Sequence, residues 1–397
     1  MKMAENKSVK QMIGKTFMEI ADAIQTGQFG TKIKIGLTIL GSEHGTDNLV
    51  KGAEQAAKNA SNFDIVLIGP KVDTHLEMVE VNLEEDMHKK MEELLDSGYI
   101  QGCVTMHYNF PIGVSTVGKV ITPGMGREML LATTTGTASA HRVEAMVKNA
   151  LYGIITAKAM GIKEPTVGIL NLDGARQVER ALKELNSSGY PINFSESVRS
   201  DGGAVMRGND LLAGTVDVMV TDTLTGNIMM KVFSSYTTGG SYEAMGFGYG
   251  PGVGEGYDRI ILILSRASGV PVVANAIQYA AKLAQGKLTE VAKAEFAKAK
   301  AAKLEDILKS LTKDVKKAKA EDEDVAEPPK EVVTGSISGI DIMDLEDAVK
   351  ALWKEGIYAE SGMGCTGPIV LVHEEKIHKA TEVLGKAGFV AKEGEVC

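Results

Sequence analysis

The chain has few cysteines and lacks a long apolar run. Its three cysteines, Cys103, Cys365 and Cys397, cannot form a complete set of disulfide pairs, and free thiols are typical of a reducing compartment. No apolar run reaches the roughly 20 residues needed to cross a bilayer, and the polar start of the chain, residues 1–10, is unlike a secretory signal. These absences predict a cytoplasmic protein that contains neither disulfides nor membrane helices.

Motifs for metals and dinucleotides are also missing. The seven histidines form no HxxxH or HExxH array, and no cysteine pair has the spacing of metal ligands. The first glycine turn, residues 41–45, contains only Gly41 and Gly45 and therefore lacks the GxGxxG fingerprint. A net charge of −9 argues against nucleic acid or an anionic membrane as a partner. The sequence thus predicts a protein that binds no metal and no organic cofactor.

Length and pattern predict an α/β protein. The 397 residues are 44% apolar and 24% charged, with 44 glycines, a composition typical of globular enzymes. Apolar strands alternate with amphipathic helices, which predicts a doubly wound, mainly parallel sheet covered on both faces. The predicted domains are an N-terminal helix (1–27), the α/β core (28–275), a helical extension (276–325), a linker (326–335) and a small α+β module (336–397).

The stretch 217–231 predicts a binding site for an anion. A short apolar strand breaks into a polar turn, Thr221-Asp-Thr-Leu-Thr-Gly-Asn227, and resumes as an apolar helix. Ligands of open α/β sheets bind where strands end and helices begin. There the Thr223 and Thr225 hydroxyls and the backbone amides near Gly226 suit a phosphate. The alternative is a simple helix N-cap, because Asp and Thr satisfy the first amides of a helix.

Two further polar turns extend the predicted site. Residues 133–137 place hydroxyls before a predicted helix at 140–160, and the turn after the first strand carries Ser42 and His44. Helix caps, or a structural histidine, would explain the same residues. A third glycine-rich segment, 249–256, is interpreted as a loop, either ligand-binding or mobile. The predicted phosphate site comprises Thr134, Thr135, Gly136, Asp222, Thr223, Thr225, Gly226 and Asn227, with Ser42 and His44 nearby.

Cys365 is the candidate nucleophile. It lies in the glycine-rich segment 362–368, where a thiol is sterically open, whereas Cys103 lies in an apolar run typical of buried cysteines. Cys397 ends the chain, where residues are commonly frayed. An exposed thiol can act as a nucleophile if its pKa is lowered; the alternative is a structural cysteine in a turn.

The core resembles the phosphate acyltransferases of phospholipid synthesis. The run Val220-Thr-Asp-Thr-Leu-Thr-Gly-Asn-Ile-Met-Met-Lys231 is similar to their Val-Thr-Asp-x-x-Thr-Gly-Asn motif, and 161–165 resembles their Gly-Ile-x-Arg-Pro segment with Glu164 in place of Arg. Residues 40–45 with Gly52-Ala53 resemble their N-terminal region without its Gly-Gly-Asp. The resemblance spans roughly residues 30–290 and implies that the chain binds phosphate and transfers an acyl group.

With the segment Gly364-Cys365-Thr366-Gly367-Pro368, the whole chain resembles the alpha subunits of component C of the glycine, sarcosine and betaine reductase complexes. The resemblance implies that Cys365 accepts an acetyl group from carboxymethyl-selenoprotein A and that phosphate releases it as acetyl phosphate. It further implies a component C beta subunit and selenoprotein A as partners. The remaining hypotheses are a lipid-synthesis acyltransferase, in which Cys365 is dispensable, and a non-catalytic scaffold.

An apolar stripe in the helices at 272–318 predicts a homodimer or a higher homo-oligomer.

Overall fold

The computed structural model describes residues 14, 17, 20–21, 32–58, 60, 62–198, 203–318, 325–341, 344–364 and 367–390. Most of the predicted N-terminal helix lies outside these residues. The described helices contain no segment long and apolar enough to cross a membrane.

The described residues form strands and helices of ordinary length. The strands are β1 (Ile33–Thr38), β2 (Phe63–Gly69), β3 (Glu77–Glu80), β4 (Gly102–Thr105), β5 (Val114–Ile121), β6 (Glu128–Thr137), β7 (Thr166–Leu170), β8 (Asn193–Phe194), β9 (Val205–Met206), β10 (Val218–Val220), β11 (Gly250–Gly254), β12 (Ile261–Ile263), β13 (Gly335–Ser338), β14 (Ala359–Gly364) and β15 (Gly367–Val372). The helices are α1 (Thr46–Lys58), α2 (Glu84–Asp96), α3 (Arg142–Ala159), α4 (Ala175–Ser187), α5 (Gly208–Ala213), α6 (Thr223–Ser235), α7 (Val270–Gln285), α8 (Leu288–Ala301), α9 (Leu304–Ala318), α10 (Leu345–Lys354) and α11 (Ile377–Ala387).

The chain divides into two compact units. Unit 1 comprises Met1–Ala138, Asn149–Pro165 and Leu212–Phe296, and unit 2 comprises Ser139–Lys148, Thr166–Leu211 and Ala297–Cys397. All the residues of the predicted phosphate site belong to unit 1, and Cys365 belongs to unit 2.

The sheet of unit 1 contains two parallel sets of strands. Its order is β3-β2-β1-β4-β12-β11-β5-β6-β10. The strands β3, β2, β1, β4 and β12 are parallel to one another, and so are β6 and β10. Between the two sets, β11 pairs antiparallel with both β12 and β5, and β5 pairs antiparallel with β6. After these three reversals the two parallel sets run in opposite directions.

Apolar strands explain why this sheet is covered on both faces. Ile35 and Leu37 of β1 and Leu67 and Ile68 of β2 are all fully buried, as expected for parallel strands that are packed on both sides. The helices α1 and α7 pack closely at Gly52, because a Cβ there would collide with the Val273 side chain. The predicted α/β class with a mainly parallel sheet is therefore confirmed.

Unit 2 contains the parallel strands β7, β8 and β9 and the C-terminal sheet β13-β15-β14, which is antiparallel. The C-terminal sheet, α10 and α11 share a small apolar core that includes Val370, Leu352 and Leu384. Polar contacts join this module to α4, where Arg180 forms an ion pair with Asp344 at 3.1 Å. Gln177 also donates a hydrogen bond to Asp344, over 2.7 Å.

Two expectations from the sequence need correction. Residues 250–254 form the buried strand β11 rather than a loop; adding a Cβ to Gly250 would overlap the Val117 carbonyl of β5, so only glycine fits. Residues 134–137 continue β6 instead of forming a turn. The apolar residues of α7, and Leu304 of α9, are buried, whereas Leu308 and Leu311 of α9 are partly exposed; the homo-oligomer predicted from this stripe stays a prediction.

Candidate functional site

The end of β6 is bulged. In the register with β5, Ala132 pairs with Val117 and Gly136 pairs with Ser115, so residues 133–135 lie opposite the single residue Thr116. The Thr116 hydroxyl accepts a hydrogen bond from the Thr135 amide at 3.0 Å. It also lies 2.8 Å from the Thr134 hydroxyl and 2.9 Å from the Thr135 hydroxyl. Bulges redirect side chains at the ends of strands, commonly beside active sites.

The start of α6 is capped by Asp222. Its carboxylate accepts a hydrogen bond from the Thr225 amide at 2.7 Å and one from the Thr225 hydroxyl at 3.1 Å. The N-cap interpretation of this turn is therefore correct for Asp222. The cap also fixes the Thr225 hydroxyl in the first turn, at the positive end of the helix dipole.

Helix α6 begins directly against the bulge of β6. A Cβ on Gly226 would overlap the Thr133 carbonyl oxygen, so the helix can approach this closely only with glycine there. Asn227 Nδ2 donates a hydrogen bond to the Thr134 carbonyl oxygen at 2.9 Å. The hydroxyls of Thr133 and Thr223 are 3.1 Å apart. The structure thus brings together the two predicted segments, 133–136 and 222–227.

These residues differ in how far a ligand can reach them. Thr134 is 0% exposed, and its hydroxyl donates to the Tyr249 carbonyl oxygen at 2.7 Å, so Thr134 holds the bulge to the residue that precedes β11. Gly226 is buried as well. The reachable groups are those of Gly136, which is exposed, and of the partly exposed Thr135, Thr223, Thr225 and Asn227.

The remaining predicted residues, Ser42 and His44, pack against the 265–268 segment. His44 Nε2 lies 3.3 Å from the Ala267 carbonyl oxygen, and the Glu43 amide donates to the Arg266 carbonyl oxygen at 2.9 Å. Strand β1, which precedes this turn, runs opposite to β6. The chain therefore leaves β1 and β6 in opposite directions, which a prediction based on one parallel sheet does not anticipate.

A buried carboxylate connects the 265–268 segment to α6. Glu243 is 1% exposed and accepts hydrogen bonds from Tyr249 Oη at 3.1 Å and Ser268 Oγ at 3.0 Å. Lys231 of α6 completes the cluster at 3.0 Å. Burial, together with the charge of Glu243, raises the pKa of Tyr249 well above its ordinary value. The Lys231 ammonium thus contacts both Glu243 and Ser265, to whose hydroxyl it donates a hydrogen bond at 3.1 Å.

A pocket of about 310 Å³ opens beside the bulge. It is lined by His107, Tyr108, Asn109, Phe110, Thr135, Gly136 and Ile263. The segment 106–113 connects β4 to the parallel strand β5 and so crosses over the strands between them. Its Phe110 ring lies on Gly252 of β11, where a Cβ would overlap the ring. This crossing places four side chains of the segment next to the end of β6.

The sequence pattern did not indicate this segment as part of the site. It had no helical or alternating pattern, so periodicity did not assign it. A signal was present, however, because the chain is only 5% aromatic, and residues 107–110 read His-Tyr-Asn-Phe.

Of the cysteines, only Cys103 is among the described residues. It is 0% exposed in β4, and burial raises the pKa of its thiol far above the ordinary value, so it stays protonated at neutral pH. Cys365 follows Gly364, the last residue of β14, and precedes Gly367, the first of β15. Cys365 and Cys397 lie outside the described residues. Among the described residues, no cluster of three or more His, Cys, Asp or Glu side chains could hold a metal.

Comparisons with known proteins extend over most of the chain. The model of a family described as fatty acid synthesis protein matches residues 33–371. The alpha subunit of glycine/sarcosine/betaine reductase complex component C from Peptoclostridium acidaminophilum is 74% identical, over 96% of this chain and 99% of that protein.

More distant similarity involves acyltransferases. A phosphate acyltransferase from Thermotoga petrophila is 26% identical over 50% of this chain and 67% of its own length. Among solved structures, a branched-chain phosphotransacylase from Enterococcus faecalis V583 matches with a TM-score of 0.41 and 16% identity, over 63% of this chain and 99% of that one.

Proposed function

This chain belongs to the fatty acid synthesis protein family and, within it, to the component C alpha subunits of glycine/sarcosine/betaine reductase complexes, and we propose that it transfers an acetyl group from a cysteine thioester to inorganic phosphate. The single observation that carries the proposal is the meeting of the β6 bulge with the capped start of α6. Relatives named phosphate acyltransferase support the same chemistry.

The phosphate would bind at the start of α6. The unsatisfied amides at a helix N-terminus and the helix dipole favour an anion. Thr223 contributes a hydroxyl, while Thr135 and Gly136 approach from the bulge. The Thr225 hydroxyl donates its hydrogen to Asp222, so toward the ligand it acts as an acceptor for the P–OH group of hydrogen phosphate. Thr134, Gly226 and Asn227 would hold these groups in place, since Thr134 and Asn227 bond the bulge and Gly226 permits the contact. Asp222 would act through its cap on Thr225.

The proposed reaction is phosphorolysis of a thioester on Cys365. An oxygen of hydrogen phosphate attacks the thioester carbonyl carbon, the C–O bond forms and the C–S bond breaks. The products are acetyl phosphate and the Cys365 thiol, which takes the proton of the hydrogen phosphate. Hydrogen-bond donors that are already oriented stabilise the negative charge that develops on the carbonyl oxygen. No cofactor takes part in this step.

The acetyl group would come from the reductase complex. We propose that Cys365 receives it from carboxymethyl-selenoprotein A, as the family implies, in a step that also consumes a second thiol as reductant: the C–Se bond breaks, the selenium and that thiol join as a selenenyl sulfide, water leaves, and the acetyl group forms the thioester on Cys365. A component C beta subunit is proposed as a further partner. Support for Cys365 is its motif, with a glycine on one side and Thr366-Gly367 on the other. The predicted homo-oligomer and the cytoplasmic location stay predictions.

The phosphate site can be tested by kinetics. We expect Thr225→Val and Asn227→Ala each to raise the KM for phosphate in acetyl phosphate synthesis by about two- to tenfold. Thr225→Val removes the hydroxyl bonded to Asp222, Asn227→Ala removes the bond to the Thr134 carbonyl oxygen, and an intramolecular hydrogen bond contributes about 0.5–1.5 kcal/mol. Asn275→Ala is the matched control, since Asn275 also donates to a backbone carbonyl, that of Gly246 at 3.0 Å. An unchanged KM for phosphate in both test variants would overturn the site.

A further inference from the structure

The pocket beside the bulge has walls of two kinds. Phe110, Tyr108 and Ile263 supply apolar surface, whereas His107, Asn109 and Thr135 supply polar atoms. None of the seven lining residues is a carboxylate, an ammonium or a guanidinium. A charged amino acid or a betaine would find no counter-charge there, so the walls suit a neutral, partly apolar group.

The volume of the pocket also restricts its ligand. At about 310 Å³ it is at the small end of the roughly 300–1,000 Å³ range of ligand sites. A dinucleotide or a long fatty chain needs more room than this. A phosphate ion alone would make no use of the aromatic wall.

The pocket adjoins the proposed phosphate site through shared residues. Thr135 and Gly136 line the pocket, and the Thr135 hydroxyl is tied to the Thr116 hydroxyl of the same bulge. A compound with a short apolar part and a phosphate would match both the aromatic wall and the bulge.

We propose that this pocket is the acyl subsite and that it selects short acyl groups, a conclusion that rests on the proposed function. The acyl chain lies against Phe110 and Ile263, and the phosphate lies toward Thr135 and Gly136. His107 and Asn109 provide polar contacts at the mouth, where both are exposed.

The structure fixes the size of the subsite because Phe110 is held from several sides. Its ring packs edge-on against Tyr108 at 5.1 Å and Tyr257 at 5.7 Å between centroids. Its contact with Gly252 leaves it no space toward β11. The other apolar wall residue, Ile263, is the last residue of β12 and is 9% exposed. Phe110 and Ile263 therefore form a fixed apolar side of the subsite.

The test changes the volume of the pocket in both directions. Ile263→Val and Ile263→Ala enlarge it, and Asn109→Phe fills it from an exposed position. The matched control is Ile261→Val, which removes the same methyl group from the same strand at a residue that does not line the pocket. Circular dichroism and a thermal melt establish whether each variant is folded. If Ile263→Ala fails to fold, Ile263→Val alone still tests the larger pocket.

Two readouts are made on the full chain. Calorimetry measures binding of the unreactive analogues acetylphosphonate and butyrylphosphonate, and mass spectrometry measures acylation of the chain by acetyl and butyryl phosphate. We expect both enlarging variants to raise the butyryl-to-acetyl preference by about tenfold, since one methylene in an apolar pocket is worth about that factor or more. Asn109→Phe should weaken the binding of butyrylphosphonate more than that of acetylphosphonate. Ile261→Val should leave the butyryl-to-acetyl ratio unchanged in both binding and acylation.

The outcomes separate the subsite from the proposed function. If the analogues bind with the expected ratios but the chain is never acylated, the subsite stands and the proposed reaction fails. If acylation proceeds while every Ile263 and Asn109 variant keeps the wild-type ratios, the reaction stands and the subsite is wrong.

Discussion

At the scale of single residues, Gly226 determines whether the site can form. Replacing it by Ala would push a Cβ into the Thr133 carbonyl oxygen and force α6 away from β6. We predict that Gly226→Ala lowers the free energy of unfolding by about 3 kcal/mol or more, at the upper end of overpacking effects, and abolishes phosphate-dependent activity.

Urea denaturation measures the change in stability. Gly208→Ala serves as the control, because Gly208 is also a helical glycine and has open space where a Cβ would be added. A Gly226→Ala variant as stable and as active as the wild type would show that α6 does not contact β6 as described.

The His88 imidazole should make the stability of the protein depend on pH. Burial, and then the nearby charge of His107, lower its pKa below the usual value near 6.5, against the opposing effect of Glu84 and Glu92. The unfolded chain therefore binds a proton at a higher pH than the folded chain does. Stability should fall as the pH drops below about 6.5 toward the lowered pKa.

Comparing the wild type with His88→Gln isolates this contribution. Denaturant unfolding between pH 7.5 and pH 5 should show the wild type losing more stability than the variant over the acidic part of the range. Parallel losses in the two proteins would mean that the pKa of His88 is not lowered in the folded state.

At the scale of elements, the sequence predicted regular units well and irregular ones poorly. Helix α3, for example, was predicted at 140–160 and lies at Arg142–Ala159. Strand β11 was not predicted, because the residues Gly250-Pro-Gly-Val-Gly254 are typical of loops. They form a strand only because they pair with β12 and β5. Pairing between distant segments is not readable from local propensity.

The candidate site shows the same division. The composition of 133–137 and 221–227 indicated a shared site, and the structure joins these segments. The opposite directions of β1 and β6 depend on three antiparallel pairings, none of which has a local signature. The segment 106–113 was missed because its position depends on where β5 lies in the sheet.

A buried lysine in the β5–β6 pair offers a test of this part of the sheet. Lys119 is 5% exposed, forms an ion pair with Glu128 at 2.8 Å, and lies 3.7 Å from the centroid of the Phe247 ring. Burial lowers its pKa, while Glu128 opposes that shift. Removing the Glu128 charge should therefore destabilise the fold more than removing the Lys119 charge, because it leaves a buried cation unpaired.

We predict that Glu128→Gln destabilises the fold by about 1–2 kcal/mol, whereas Lys119→Met is close to neutral. Chemical denaturation of both variants and of the double variant checks the pairing. In the Lys119→Met background, Glu128→Gln should have little further effect. Additive losses in the double variant would show that the two side chains do not interact.

At the scale of the whole molecule, the proposed function depends on two segments that are distant in sequence. The acyltransferase-like motif at 220–231 lies in unit 1, and the segment with Cys365 lies in unit 2. The first alone fits a lipid-synthesis acyltransferase. Only the combination predicts a chain that carries an acetyl group on its own cysteine, and similarity over 96% of the chain to a component C alpha subunit agrees with that combination.

The central claim is that one chain both carries the acetyl group on Cys365 and exchanges it with phosphate. Isotope exchange between labelled phosphate and acetyl phosphate tests this most directly, because exchange requires formation and phosphorolysis of the thioester. We predict that the wild type and a Cys397→Ala control move label into acetyl phosphate, and that Cys365→Ala abolishes the exchange. Undiminished exchange by Cys365→Ala would contradict the account and leave an acyltransferase whose C-terminal cysteine segment is dispensable.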